Sequence, residues 1–133
     1  VDLPAVTGDE TRTITQNMGM GTKVIVVTTP QDVALLDSRR SAKFSGMVNI
    51  ELIGIIENMS GFICPECGKE VNIFKKGGAK KMAEELKANY LGSIPMDKSI
   101  VDAGDSGKPY VQIESESSIR LNKIIDQILG KVK

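Results

Sequence analysis

Two stretches constrain the fold more than anything else in the chain. KVIVVTT (residues 23–29) is β-branched or apolar at nearly every position, and NIELIGIIEN (49–58) is almost as apolar. A strand with one wet face alternates apolar and polar residues. An unbroken apolar run marks a strand covered on both faces. Between the two runs lies PQDVALLDSRRSAKF (30–44), which opens with helix-start chemistry. Thr29 can cap, Pro30 suits the first helical position and Asp32 sits in the first turn. Val33, Leu36, Arg40 and Phe44 fall near one stripe of that helix, mostly apolar. GGAKKMAEELKAN (77–89) predicts a second helix, with Ala79, Met82, Ala83 and Leu86 on one face. YLGSIP (90–95) predicts a third, shorter strand. ESESSIRLNKIIDQILG (114–130) predicts a closing helix, with a core stripe of Leu121, Ile124, Ile125, Ile128 and Leu129 and with Gly130 as its C-cap. Strands alternating with helices predict an α/β protein: a parallel sheet with helices on both faces. VDL (1–3) would be a further strand. The whole of 1–133 then reads as one α/β unit with one insertion, residues 60–76.

The totals narrow the function. A chain of 133 residues is enough for one domain with one core. With 17 basic and 17 acidic residues the formal net charge is zero. That argues against a general nucleic-acid binder, which needs basic excess to displace counterions from phosphates. No apolar run approaches the roughly 20 residues of a membrane-spanning helix, and no signal-peptide pattern is present. Neither nucleic acid nor a membrane is an expected partner. Two cysteines without a wider framework point to a reducing, cytoplasmic compartment, where thiols bind metal or do redox chemistry. The absence of His removes imidazole catalysis and imidazole metal ligands. The chain opens on Val1, directly in a strand end and loop, which reads as a fragment or a processed chain.

Both cysteines lie in GFICPECGKEVNIF (61–74), as Cys64 and Cys67. Three readings compete: a metal site, a redox pair, or reduced thiols in a turn. A thioredoxin-type pair opens a helix, which lowers one thiol pKa. Here Gly68 follows at once and KEVNIF then alternates like a strand, so the pair sits at a hairpin tip. The metal reading leads. Pro65 fixes the first turn residue, and Gly68 lets the backbone bend and aim N–H groups at sulfur. Thiolates favour zinc, copper(I) or iron–sulfur clusters. Two sulfurs do not complete a zinc site or a [4Fe–4S] site, each of which normally takes four ligands. The count predicts a second copy, two chains giving four thiolates to one centre.

VDLPAVTGDE (1–10) is the other informative stretch. An Asp ending a strand before a Gly-bearing loop is the layout of a P-loop enzyme's second nucleotide motif, with Asp on Mg²⁺ and a Gly N–H facing the γ-phosphate. The same pattern also occurs as an ordinary α/β loop. The primary phosphate loop, Gly-x-x-x-x-Gly-Lys-Ser/Thr, is absent. GDSGKPY (104–110) and GMGTK (19–23) fail on spacing and read as turns. Met59 reads as packing, Lys75, Lys76, Lys80 and Lys81 as a solvated helix start, and Arg39 and Arg40 as a surface pair.

Taken together, VIVVTTPQDVALLDSRR, GIIENMSGFICPECGKEVNIF, GGAKKMAEEL and LGSIPMDKSIVDAGDSGKP resemble the C-terminal half of the Mrp/ApbC-type P-loop ATPases, the iron–sulfur cluster carriers. The resemblance runs from Val1 to about Val111. It implies a partial P-loop NTPase fold with a Cys-bearing hairpin insertion. It also implies a cytosolic, ATP-binding homodimer that bridges a labile [4Fe–4S] cluster and passes it to apo iron–sulfur proteins. On that resemblance Cys64 and Cys67 match the cluster ligands and Asp2 the Mg²⁺-linked aspartate. Gly8 matches the switch glycine, with Asp9 beside it, and Asn58 the adenine-binding asparagine. Pro95 and Asp97 fall in the base-enclosing loop. Two departures stand out. Ala5 and Val6 replace the family's Pro and Gly in the switch loop, and the lysine-bearing phosphate loop is missing. ATP hydrolysis is thus implied for the family and not for this chain alone. Two rivals remain: a zinc-knuckle interaction module without catalysis, and a partitioning-type ATPase whose Cys loop is incidental.

Overall fold

The apolar runs form the sheet, and the most apolar of them takes its centre. A computed structural model describes residues 1–3, 8–18 and 21–132. In chain order its elements are α1 (Asp9–Asn17), β1 (Lys23–Thr28), α2 (Asp32–Met47) and β2 (Glu51–Glu57). There follow the short strands β3 (Phe62–Ile63) and β4 (Glu70–Val71), then α3 (Gly78–Glu85), β5 (Tyr90–Ser93), α4 (Lys98–Asp105), a 3-10 turn (Tyr110–Gln112) and α5 (Glu116–Val132). β1, β2 and β5 make a parallel sheet in the order β1-β2-β5. Val26 pairs with Ile55, and Ile55 with Tyr90. The side chain of Ile55 is fully buried.

Helices cover both faces, as continuous apolar strands require. On one face α2 and α3 bring Leu35, Ala42, Ala79, Met82 and Ala83 against Val26 and Ile55. On the other, Ile124 of α5 packs on Ile53, Ile56 and Leu91. Gly54 lets β5 approach: a Cβ there would lie 2.6 Å from Leu91 Cγ and 2.8 Å from the Asn89 carbonyl. β1 departs from the expected burial on both faces: it ends the described order β1-β2-β5, and its Val27 is 53% exposed. Among the described residues no helix is long and apolar enough to cross a membrane.

Several expectations are corrected. Residues 1–3 are not a strand. The second helix begins at Asp32, with Gln31 and not Thr29 at its N-cap. Its buried stripe is Leu35, Ser38, Ala42 and Ser45, whereas Val33, Leu36 and Arg40 face solvent. Small residues line that stripe because α2 lies close to the sheet and to α3, and apolarity alone misplaced it. The strand at 90 ends at Ser93, not Pro95. Gly130 lies inside α5, not at its cap, and Leu129 is exposed. α1 and α4 have no counterpart in the sequence reading. The turn reading of GMGTK falls partly on Gly19 and Met20, outside the described residues, and Gly104 belongs to α4.

Candidate functional site

Because β1, β2 and β5 run parallel, their carboxyl ends share one edge. Loops leaving that edge line the ligand crevice in α/β sheets. Three loops leave it here, at 29–31, 58–77 and 94–97. Their backbones are tied together. The Asn58 N–H donates to the Thr28 carbonyl (2.7 Å), the Ser60 N–H to Ile94 (3.0 Å) and the Met96 N–H to Gly61 (2.7 Å). Phe62 also bridges Met96 in parallel.

The long middle loop folds back as the expected hairpin. Phe62 pairs with Val71 and Ile63 with Glu70, antiparallel. At its tip the Cys64 N–H donates to the Lys69 carbonyl (3.0 Å) and the Gly68 N–H to the Cys64 carbonyl (2.9 Å). Gly68 takes φ of 67°, left-handed, which a residue with a Cβ adopts only at a cost. Pro65 pre-sets the first turn residue. Both cysteines are free thiols, Cys64 half-buried and Cys67 exposed. The backbone N–H groups of Cys67 and then Glu66, followed by the Cys67 thiol, hold the Cys64 pKa below its ordinary value. More thiolate means a better nucleophile and a better metal ligand. Among the described residues no group of three or more His, Cys, Asp or Glu stands ready to hold a metal ion. The donor set is therefore two soft sulfurs, suited to zinc, copper(I) or an iron–sulfur cluster and short of a tetrahedral shell by two.

The other carboxyl-edge residues sit beside this hairpin. Asn58 is half-buried, and its Oδ1 accepts from the Met59 N–H at 2.9 Å. Met59, expected to pack, is 43% exposed and takes a left-handed φ of 54°. Pro95 is fully buried. Asp97 caps α4: its Oδ1 accepts from the Ser99 N–H (2.8 Å), and its Oδ2 from the hydroxyls of Ser117 (2.8 Å) and Tyr110 (3.4 Å). Burial pushes the Asp97 pKa up, but the bonds from Ser99, Ser117 and Tyr110 outweigh it and hold the carboxyl below its usual range. Lys75 pairs with Asp32, and Lys76 with Glu70. Arg39 and Arg40 pair with Glu85 and Asp37.

Of the first stretch, residues 1–3 and 8–10 are described. Asp2 lines a groove of about 450 Å³ along β1, together with Val24, Val26, Ser41 and Phe44. Gly8 precedes α1 in extended conformation, its carbonyl accepting from the Arg12 N–H at 3.1 Å, and Asp9 opens the helix. Ala5 and Val6 lie outside the described residues. Sequence reasoning passed over Glu57, which ends β2 with its carboxylate fully buried. The signal was present in ENMSGF: a charge closing an otherwise apolar strand.

A parallel sheet with helices on both faces, crevice loops at its carboxyl edge and a thiol hairpin among them defines an α/β protein of the open-sheet class. The family model ParA, described as NUBPL iron-transfer P-loop NTPase, matches residues 1–133, and the chain belongs to that family. It is 45% identical over 133 residues to the iron–sulfur cluster carrier protein of Methanocaldococcus jannaschii, covering 100% of this chain and 46% of that one. A nucleotide-binding protein from Archaeoglobus fulgidus, solved with ADP, aligns at TM-score 0.58 and 26% identity over 71% of this chain and 38% of that one. The cell division ATPase MinD of Pyrococcus furiosus aligns at TM-score 0.62 and 17% identity, over 82% and 43% respectively, and shows the shared fold. The chain spans about half the length of the curated relative it matches.

Proposed function

We propose that this chain carries an iron–sulfur cluster as cargo, held between two copies that each supply Cys64 and Cys67, and hands it to apo iron–sulfur proteins. One observation carries the reading: two free thiols at a hairpin tip, one exposed and the other shifted toward thiolate, with half of a four-ligand shell between them. A bridge at an exposed tip can open by separating the copies, as a donor of cargo needs. The name of the Methanocaldococcus jannaschii relative supports the cargo assignment, and free thiols support a cytoplasmic setting.

Nucleotide binding is the second part of the proposal. Asn58 would offer its amide to the adenine edge, with the Pro95–Asp97 loop enclosing the base. Asp2 would hold Mg²⁺ through water, and Gly8 and Asp9 would face the γ-phosphate. No Gly-x-x-x-x-Gly-Lys-Ser/Thr loop exists in the sequence, so hydrolysis is not proposed for these residues alone.

Anaerobic reconstitution with iron and sulfide, followed by sedimentation, tests the reading. The expected result is a brown species of doubled mass, lost in Cys64→Ala and in Cys67→Ala. A colourless protein that takes zinc alone would favour a zinc-knuckle module instead. Loading that survives removal of both thiols would leave the hairpin incidental.

A further inference from the structure

We propose that Glu57 is the positioning residue of the cysteine hairpin: its buried carboxylate latches both ends of the 58–77 segment to the end of β2 and so sets where Cys64 and Cys67 stand. The inference rests on the cargo reading for its purpose, and on geometry alone for the latch. Glu57 is 0% exposed. Its Oε1 accepts from the Ser60 hydroxyl (2.5 Å) and the Gly77 N–H (2.9 Å), and its Oε2 from the Ala79 N–H (2.7 Å). Ser60 lies just after Glu57, whereas Gly77 lies 20 residues on. One side chain therefore closes the whole loop at its base.

Taking an ionised carboxylate out of water is costly unless partners replace the lost solvation. Among the described residues no Lys or Arg forms an ion pair with Glu57. The compensation comes from three converging donors and from the positive end of α3. Gly77 makes this possible: at φ of 83° it turns the chain so that its own amide and that of Ala79 both reach the carboxylate. An ion-pair clasp on the hairpin, Lys76 with Glu70, is weaker by position. Its lysine side chain is 45% exposed, and exposed pairs contribute little. The interior latch is thus the stronger of the two, and it holds the base of the segment that carries the thiols.

The test uses the 133-residue chain, amide hydrogen exchange and Co²⁺ as the metal probe. Glu57→Gln keeps the shape but sets an amide N–H₂ against one of the donors. Exchange across 58–77 is expected to rise about ten-fold or more, while β1 and β5 keep their protection. Co²⁺ affinity is expected to fall about ten- to a hundred-fold with an altered thiolate charge-transfer band, as for other supporting partners of metal ligands. Met82→Ala, a core cavity that removes none of the three donors, is the control for plain destabilisation. Wild-type exchange in Glu57→Gln would overturn the latch, as would an equal loss of Co²⁺ binding in Met82→Ala. Should Glu57→Gln fail to fold, Ser60→Ala removes one donor and keeps the carboxylate. Faster exchange at Gly77 then supports the latch, and unchanged exchange rejects it. If the wild-type thiols take no Co²⁺, the metal reading fails while the exchange comparison still judges the latch.

Discussion

Single atoms decide several properties of this chain. At Gly54 a methyl group would sit 2.6 Å from Leu91 and 2.8 Å from a carbonyl. The carbonyl belongs to a paired backbone and cannot yield easily. Gly54→Ala is therefore expected to cost about 1–3 kcal/mol by overpacking, measured by denaturant unfolding; a neutral result would contradict the close strand approach. Asp97 makes a pH prediction. Its folded pKa is held below the unfolded value of about 3.9. Its contribution to stability is then complete above about pH 4 and disappears as pH falls through the lower folded value. The difference in melting temperature between wild type and Asp97→Asn should shrink below about pH 4. A gap that stays constant into acid would show that its three hydrogen bonds do not favour the charged form. Cys64 and Cys67 were legible in the sequence because a knuckle is written by neighbours: Pro65 and Gly68 dictate the turn. Glu57 showed only as a charge closing an apolar strand; its bonds were not legible, because its partners at Gly77 and Ala79 lie some twenty residues away.

At the level of elements, composition separated strand from helix well and located helix faces less well. α3 and α5 show why. Met82 and Ile124 point inward, both almost fully buried, although Ile119 and Leu129 of α5 are exposed. α2 inverts the rule. It buries Ser38 and Ser45 and leaves Val33 77% exposed, since small residues allow close packing and the serine hydroxyl bonds the helix itself, Ser45 to the Ala42 carbonyl. Two substitutions check this orientation by thermal or chemical unfolding. Met82→Ala should cost about 2–5 kcal/mol, the range for emptying a filled core position. Val33→Ser should stay within about 0.5 kcal/mol, as for a surface change. Equal losses at the two positions would put the wrong face of α2 against the sheet. α1 and α4, of nine and eight residues, escaped sequence reading because two turns give an apolar pattern little room to repeat.

For the whole molecule the governing fact is the parallel sheet. It gathers the loops after β1, β2 and β5 on one edge, and so puts Asn58, Cys64, Cys67, Pro95 and Asp97 in one neighbourhood although they span some forty positions. Sulfur arithmetic at that edge predicts a mass change. Chain loaded with a thiolate-seeking metal should sediment as a dimer and return to monomer when a chelator removes the metal. A mass indifferent to both treatments would mean that the two thiols serve something other than a shared centre. Zero net charge makes a further prediction, that retention on DNA stays negligible at low salt, where basic excess acts most strongly. The residue order alone determined the strand and helix alternation, the hairpin tip and the shortage of ligands, because each is set by neighbours or by a count. The face of α2 and the bonds by which Glu57 joins both ends of the 58–77 segment were decided only in three dimensions. Each depends on contacts between segments far apart in the chain, and packing between such segments leaves no local trace.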